Sequence, residues 1–270
     1  MIIITTPPEM FSGEIAVPGD KSITHRALML GAISRGVTEV RGFLDAEDIH
    51  STVQCLRTLG VRINVRGNRL LITGQGLKLK TPLKDLDAGN SGTTARLLLG
   101  ILAGQPFRST LTGDQSLKKR PMQRIVEPLQ MMGALFENDA DKLPLTISGG
   151  ELTPIKYNTP RPSAQIKSAV LLAGLYARGE TILEEPCRSR NHTELMLEQF
   201  GAEIKAEGCR VVLQGQPILR GKQLKVPGDI SAAAFIMVAA VIIPGSEVLI
   251  SNVGVNPLRT GIIDVLKEMG

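Results

Sequence analysis

Four times along this chain an amphipathic stretch ends on the same punctuation, a leucine four residues ahead of a glycine: Leu56 and Gly60, Leu129 and Gly133, Leu197 and Gly201, Leu266 and Gly270. The glycines lie 73, 68 and 69 residues apart. A glycine straight after the last apolar turn stops a helix, because it takes the left-handed conformation without a Cβ penalty. Recurrence at that period marks a chain built from one supersecondary unit used repeatedly. Within each period a small-residue-rich helix comes first: Lys21 to Ile33, Thr93 to Ala103, Gln165 to Ala177 and Ser231 to Ile243. A short β-branched strand follows, such as Val37 to Val40 or Glu180 to Leu183, then the second helix that stops at the glycine. Hairpin-like alternation comes last, at 61–73, 134–148 and 202–214, with Arg66-Gly67-Asn68 as a tight turn. One unit is therefore β-α-β-α-β-β, and the fold class is α/β of the α+β type. The first and fourth units share sequence, Val17-Pro18-Gly19-Asp20 then Ser22 against Val226-Pro227-Gly228-Asp229 then Ser231. The fourth has no hairpin after Gly270, and a sheet short of two strands carries an unpaired edge. The pattern predicts three complete units and a fourth truncated at its C-terminal end.

Composition excludes several functions. With no Trp, two Tyr and six Phe, the chain lacks base-stacking platforms, and its net charge of +5 includes no basic run longer than Lys118-Lys119-Arg120. A small anionic ligand suits that modest excess better than nucleic acid, since a few cations in one cleft suffice. Three scattered cysteines, Cys55, Cys187 and Cys209, argue against a disulfide framework and for a reducing cytoplasm. Residues 1–8 read as a short strand and not as a signal peptide, lacking a basic region and a cleavage site. The longest apolar run, Ala232 to Ile243, is too short for a bilayer and reads as a buried core helix.

Chemistry concentrates at helix starts. In Gly19-Asp20-Lys21-Ser22-Ile23-Thr24-His25-Arg26, free helix-end amides, the helix dipole, a hydroxyl and two cations can converge on one anion. Lys21 and Arg26 are five apart, so both reach one ligand only if Lys21 sits at the helix entry. The alternative is a solvated start capped by Asp20 or Ser22. A Walker loop does not fit, because the Gly-Lys-Ser adjacency and the upstream glycine spacing are missing. The second unit offers Gly89-Asn90-Ser91-Gly92-Thr93, whose glycines let a ligand approach the backbone, and Arg120 ahead of a helix beginning at Pro121. The third offers Ser163-Ala164-Gln165-Ile166-Lys167 and Ser189-Arg190-Asn191-His192-Thr193-Glu194. There Ser163 and Gln165 supply neutral hydrogen bonds, and Lys167 or Arg190 a charge. His192 and Glu194 are two apart on a helix and face different ways, so no metal is expected.

Taken together and in this order, these segments resemble the 3-phosphoshikimate 1-carboxyvinyltransferase (EPSP synthase) family, and the resemblance runs across the whole chain. It implies an α-β prism with buried helices and outward-facing sheets. Residues 20–225 would form a complete three-unit domain, and 1–19 with 226–270 part of a second. It implies enolpyruvyl transfer from phosphoenolpyruvate to the 5-hydroxyl of shikimate 3-phosphate with release of phosphate, by a cytoplasmic monomer without cofactor. Lys21 would contact both substrates. Ser22, Arg26, Ser163, Ala164, Gln165 and Ser189 would hold shikimate 3-phosphate. Asn90, Gly92, Thr93, Arg120 and Gln165 would hold phosphoenolpyruvate. Gly92 matches the glycine that leaves room for glyphosate. Ala164, Leu97 and the run from Arg190 to Glu194 resemble the class II, glyphosate-tolerant subgroup, although Leu258 departs from its expected Thr. The family places its acid and base carboxylates in later units, so no residue here takes those roles and the chain alone is expected not to turn over. The related UDP-N-acetylglucosamine enolpyruvyl transferases use a reactive Cys in a Gly-rich loop, which none of the three cysteines occupies. A non-catalytic binding module and a fold relative acting on RNA ends complete the alternatives.

Overall fold

The computed structural model describes residues 10–137 and 141–270; the strand read at residues 1–8 lies outside them. The first unit comprises β1 (Ser12–Ala16), α1 (Lys21–Ala32), β2 (Arg35–Arg41), α2 (Glu47–Thr58), β3 (Arg62–Arg66) and β4 (Arg69–Gln75). The second comprises β5 (Leu86–Asp87), α3 (Gly92–Ala103), β6 (Arg108–Thr112), α4 (Gln123–Met131), β7 (Leu135–Phe136) and β8 (Leu145–Ser148). The third comprises β9 (Lys156–Asn158), α5 (Ala164–Gly174), β10 (Glu180–Glu184), α6 (His192–Phe200), β11 (Ile204–Glu207) and β12 (Arg210–Gln214). The fourth comprises β13 (Gln223–Lys225), α7 (Ile230–Ile242), β14 (Glu247–Ser251) and α8 (Gly261–Glu268).

Local signals explain these boundaries. The first helix of every unit is capped by a short polar side chain that accepts from an amide of its first turn: Asp20 from Ile23, Ser91 from Thr94, Ser163 from Ile166 and Asp229 from Ser231. The four terminal glycines all lie in the left-handed region, with φ of +85°, +103°, +97° and +102° at Gly60, Gly133, Gly201 and Gly270. That conformation costs other residues about 1 kcal/mol, so the recurrent glycine follows from the recurrent turn.

Each complete unit contributes a four-stranded sheet, in the orders β13-β2-β4-β3, β5-β6-β8-β7 and β9-β10-β12-β11, and the parallel pairs are β13 with β2, β5 with β6 and β9 with β10. In the second and third sheets the strand that leads into the first helix stays in its own unit. The first and fourth units exchange theirs: β1, which leads into α1, pairs with β14, while β13, which leads into α7, pairs with β2. The twin loops between these strands and helices are locked by reciprocal bonds, Asp20 N–H to Pro227 O and Asp229 N–H to Pro18 O, both 2.8 Å.

Helices α1, α3 and α5 are buried over nearly their whole length. They pack closely enough that a Cβ on Gly100 of α3 would lie 2.3 Å from the Ala169 carbonyl of α5. Strands β4, β6, β10 and β12 alternate buried and more open residues, as sheets with one wet face do. The expectation of a buried helix from Ala232 to Ile243 is overturned. Of α7 only Ile230 and Ala233 are buried, because among the described residues it packs chiefly on β14 and α8. No described helix is long and apolar enough to cross a membrane.

Candidate functional site

The start of α1 carries its functional groups on different faces. Lys21, at the helix entry, pairs through Nζ with Asp48 of α2, and its amide donates to Asp229 Oδ2 at 3.3 Å. Ser22 Oγ accepts from Arg190 Nη1 at 3.0 Å. Arg26 is only 5% exposed. It donates from Nε to Thr193 Oγ1 (2.7 Å), from Nη2 to Ser168 Oγ (2.6 Å) and from Nη1 to the Ser22 carbonyl (3.0 Å), which ties α1 to α5 and α6. Burial, and then Arg190, pull its pKa down to about 10. On the other flank, His25 Nδ1 meets Thr52 Oγ1 at 2.7 Å, and Thr52 meets Thr94 Oγ1 at 2.6 Å. Thr94 in turn donates to Ser91 Oγ at 2.7 Å. A line of hydroxyls therefore runs from α1 through α2 to the cap of α3. Burial holds His25 at about 3, neutral at any ordinary pH.

The start of α3 is ringed by guanidinium groups. A Cβ on Gly92 would lie 2.7 Å from Arg96 Nη1 and 3.3 Å from Arg120 Nη1, so the bare backbone is what lets both groups stand over the first turn. Arg120 donates to Asn90 Oδ1 (2.5 Å), and Asn90 Nδ2 to Asp114 Oδ2 (2.6 Å), which fixes the loop. Arg124 reaches toward Gln165 Oε1 at 3.5 Å. Among the described residues none of Arg96, Arg120 and Arg124 makes an ion pair with a carboxylate, and the buried Nε atoms of Arg96 and Arg124 have no partner. Burial, with Arg124 and Arg120 alongside, lowers Arg96 to about 10. Cations crowded together at a helix N-terminus with no carboxylate paired directly to them form a site for an anion. Thr93 lies half-buried in the same turn.

The third unit supplies a cavity of about 430 Å³, lined by Arg124, Ser163, Ala164, Gln165, Ser189, Arg190 and, from the fourth unit, Leu258 and Arg259. Lys167 does not offer its charge there. It is buried and paired with Glu185 and Glu194 at 2.7 and 2.8 Å, because an unpaired ammonium at that depth would be expensive. Arg190 and Arg259 provide the charge instead. Arg190 is pulled below its usual pKa by burial and by Arg259. Asp20 is raised by burial, with the nearby Asp229 adding to the effect.

Lys21 and Ser22, Asn90, Gly92 and Arg120, and Ser163, Ala164, Gln165 and Ser189 thus follow one another along a line joined by Arg190, Arg124 and Arg96, whereas Arg26 and Lys167 are turned into the protein. Sequence reasoning missed three arginines. Arg96 carried a signal, as the lone charge within an apolar helix, and Arg259 followed an Asn-Pro turn; nothing local distinguished Arg124. Cys55 offers little chemistry here: burial pushes it up to about 12, and its thiol donates to the Asp87 carbonyl.

Residues 5–270 match the family described as EPSP synthase (3-phosphoshikimate 1-carboxyvinyltransferase). The chain is 54% identical over 274 residues to the 3-phosphoshikimate 1-carboxyvinyltransferase of Desulforamulus reducens, covering all of this chain and 64% of that protein. It is 54% identical over 259 residues to that of a Thermoanaerobacter species, covering 96% of this chain and 61% of the relative. Among solved structures, EPSP synthase from Acinetobacter baumannii superposes with a TM-score of 0.91 at 48% identity, over 97% of this chain and 60% of that one. The chain therefore spans somewhat less than two thirds of the length of these relatives.

Proposed function

The chain belongs to the EPSP synthase family, and on that premise we propose that it holds the shikimate 3-phosphate side, and part of the phosphoenolpyruvate side, of an enolpyruvyl transferase site. The whole-protein reaction would join the 5-hydroxyl of shikimate 3-phosphate to phosphoenolpyruvate and then expel phosphate. In this reading Ser163, Ala164 and Ser189 surround the 3-phosphate, with Ser22 and Arg26 behind them, and Gln165 faces the ring. Asn90, Gly92, Thr93 and Arg120 take phosphoenolpyruvate, and Lys21 serves both. Residues 20–225 act as one domain, and 1–19 with 226–270 belong to another, in a cytoplasmic monomer.

The observation that carries this reading is the row of guanidinium groups, Arg96, Arg120, Arg124, Arg190 and Arg259, running from Gly92 to the cavity beside Ser163. Two highly charged anions repel each other, and fixed cations offset that repulsion while orienting the reacting ends. The carboxylates at the site are engaged elsewhere: Asp48 by Lys21, Asp20 and Asp229 as helix caps, and Glu185 and Glu194 by Lys167. Asp114 is likewise held, by Asn90 and the Leu117 amide, so among the described residues no carboxylate beside the site is offered as a general base, and this chain is expected to bind without turning over. Titration calorimetry with shikimate 3-phosphate tests this. The folded chain is expected to bind it, Lys21→Met to weaken binding about tenfold, and added phosphoenolpyruvate to release no phosphate. A folded chain that evolves no heat would remove the substrate assignment, and product formation would remove the claim of binding alone.

A further inference from the structure

One carboxylate outside every motif joins the two loops that face the cavity. Glu185 follows β10, its side chain is 2% exposed, and it is not among the cavity-lining residues. Its Oε1 accepts the Ser163 amide at 3.1 Å. Its Oε2 accepts Lys167 Nζ at 2.7 Å, the Ser189 amide at 3.2 Å and the Ser189 hydroxyl at 2.9 Å. Lys167, one turn into α5, is also held by Glu194 of α6 at 2.8 Å and donates to the Ser189 carbonyl at 3.3 Å. The entrances of α5 and α6 are thereby fastened to one buried charge cluster. Burial alone would push Glu185 up, yet Lys167, Ser189 and the Ser163 amide together hold it below the ordinary carboxylate range.

A buried ion pair is weak evidence for stability, because desolvation offsets much of its attraction. The arrangement has a geometric result instead. Ser163 Oγ accepts from Ile166 N–H as the helix cap, so its own proton is free for the cavity, and the Glu185 bond to its amide fixes where that hydroxyl stands. We propose that Glu185, balanced by Lys167, is a positioning residue that sets Ser163 for the phosphate of shikimate 3-phosphate without touching the ligand. This rests on the substrate reading given above.

Glu185→Gln probes it sharply. All four contacts to the carboxylate are donors, so the amide sets its NH₂ either against the Ser163 N–H or against Lys167 and both Ser189 donors, and the first, which breaks one contact and not three, is the favoured orientation. Calorimetric affinity of the 1–270 chain for shikimate 3-phosphate is expected to fall about tenfold. In a Ser163→Ala background the same change is expected to add little, since Glu185 acts through that hydroxyl. A general structural role would give additive losses. Should Glu185→Gln fail to fold, the charge-balanced variant Lys167→Met/Glu185→Leu removes one charge of each sign, leaves Glu194 to offset the buried Arg26 and removes the tether. It is expected to melt near wild type and to bind at least tenfold more weakly. Unchanged affinity in a folded variant, additivity with Ser163→Ala, or failure of both variants to fold each overturns the positioning role. Absence of binding by the unaltered chain would defeat the substrate reading first, so the two failures are told apart.

Discussion

Helices α1 and α7 begin from the same words and end in opposite circumstances. Both follow a Val-Pro-Gly-Asp loop, both are capped by that Asp, and each loop donates one amide to the other's proline carbonyl. Aligned on the caps, Lys21, His25 and Arg26 of α1 stand where α7 has Ile230, Ala234 and Phe235. Arg26 is 5% exposed and Phe235 80%, so the charge is buried and the aromatic ring is wet. The cap and loop are local and come out alike. Burial depends on neighbours: Arg26 is sheltered by Thr193 and Ser168 from the third unit, and α7 has no such company among the described residues. Function follows the sheltered copy, because only there can cations be held close together with few counter-charges.

The twin loops are also unequal in how tightly they are held, and alanine at their glycines should expose this. A Cβ on Gly19 would sit 2.0 Å from the Gly42 carbonyl, which is backbone and cannot step aside. A Cβ on Gly228 would meet a Val17 methyl group at 2.7 Å and the Asn252 and Val17 carbonyls only at 3.3 Å, a smaller intrusion. Gly19→Ala is expected to cost more than about 4 kcal/mol and to leave little folded protein. Gly228→Ala is expected to cost about 1–2 kcal/mol in urea unfolding. Equal losses would break the asymmetry.

Acid should act on the sheltered side. Burial lowers His25 to about 3 and His192 to about 4 in the folded chain, against about 6.5 when unfolded. The unfolded chain therefore takes up these protons first. Stability associated with the neutral rings is complete above about pH 6.5 and is lost as pH falls toward 4, by about 3 kcal/mol for each histidine. His25→Gln, which keeps a polar partner for Thr52, should remove about half of that slope in melts across the range. A flat profile between these pH values would show that the rings are not sealed.

How much of this was legible from sequence divides along the same line. The four glycine stops, the Asp20 cap and the starts of α1, α3, α5 and α7 are short-range features, and they lie within a residue of where the pattern put them. The exchange of β1 and β13 was not legible, because strand pairing across two hundred residues leaves no local mark. Lys167 was misread as an available cation, since its two partners lie 18 and 27 residues further on. Arg124 and Arg259 are ordinary surface letters until the fold brings them to the cavity. Helix α7 was misread for the opposite reason: an all-apolar helix asks for a cover, and composition does not say where that cover comes from.

Phe235→Ser carries the smallest expected effect and bears most directly on that last point. A ring that is 80% exposed contributes little burial, so replacing it should shift the urea midpoint by no more than about 0.5 kcal/mol. Serine is a poorer helix former than leucine or alanine, but about level with phenylalanine, so propensity adds little. A loss above about 1 kcal/mol would exceed what an exposed side chain can supply. It would show that α7 is covered in solution and that the difference between the twin helices is one of partners and not of sequence.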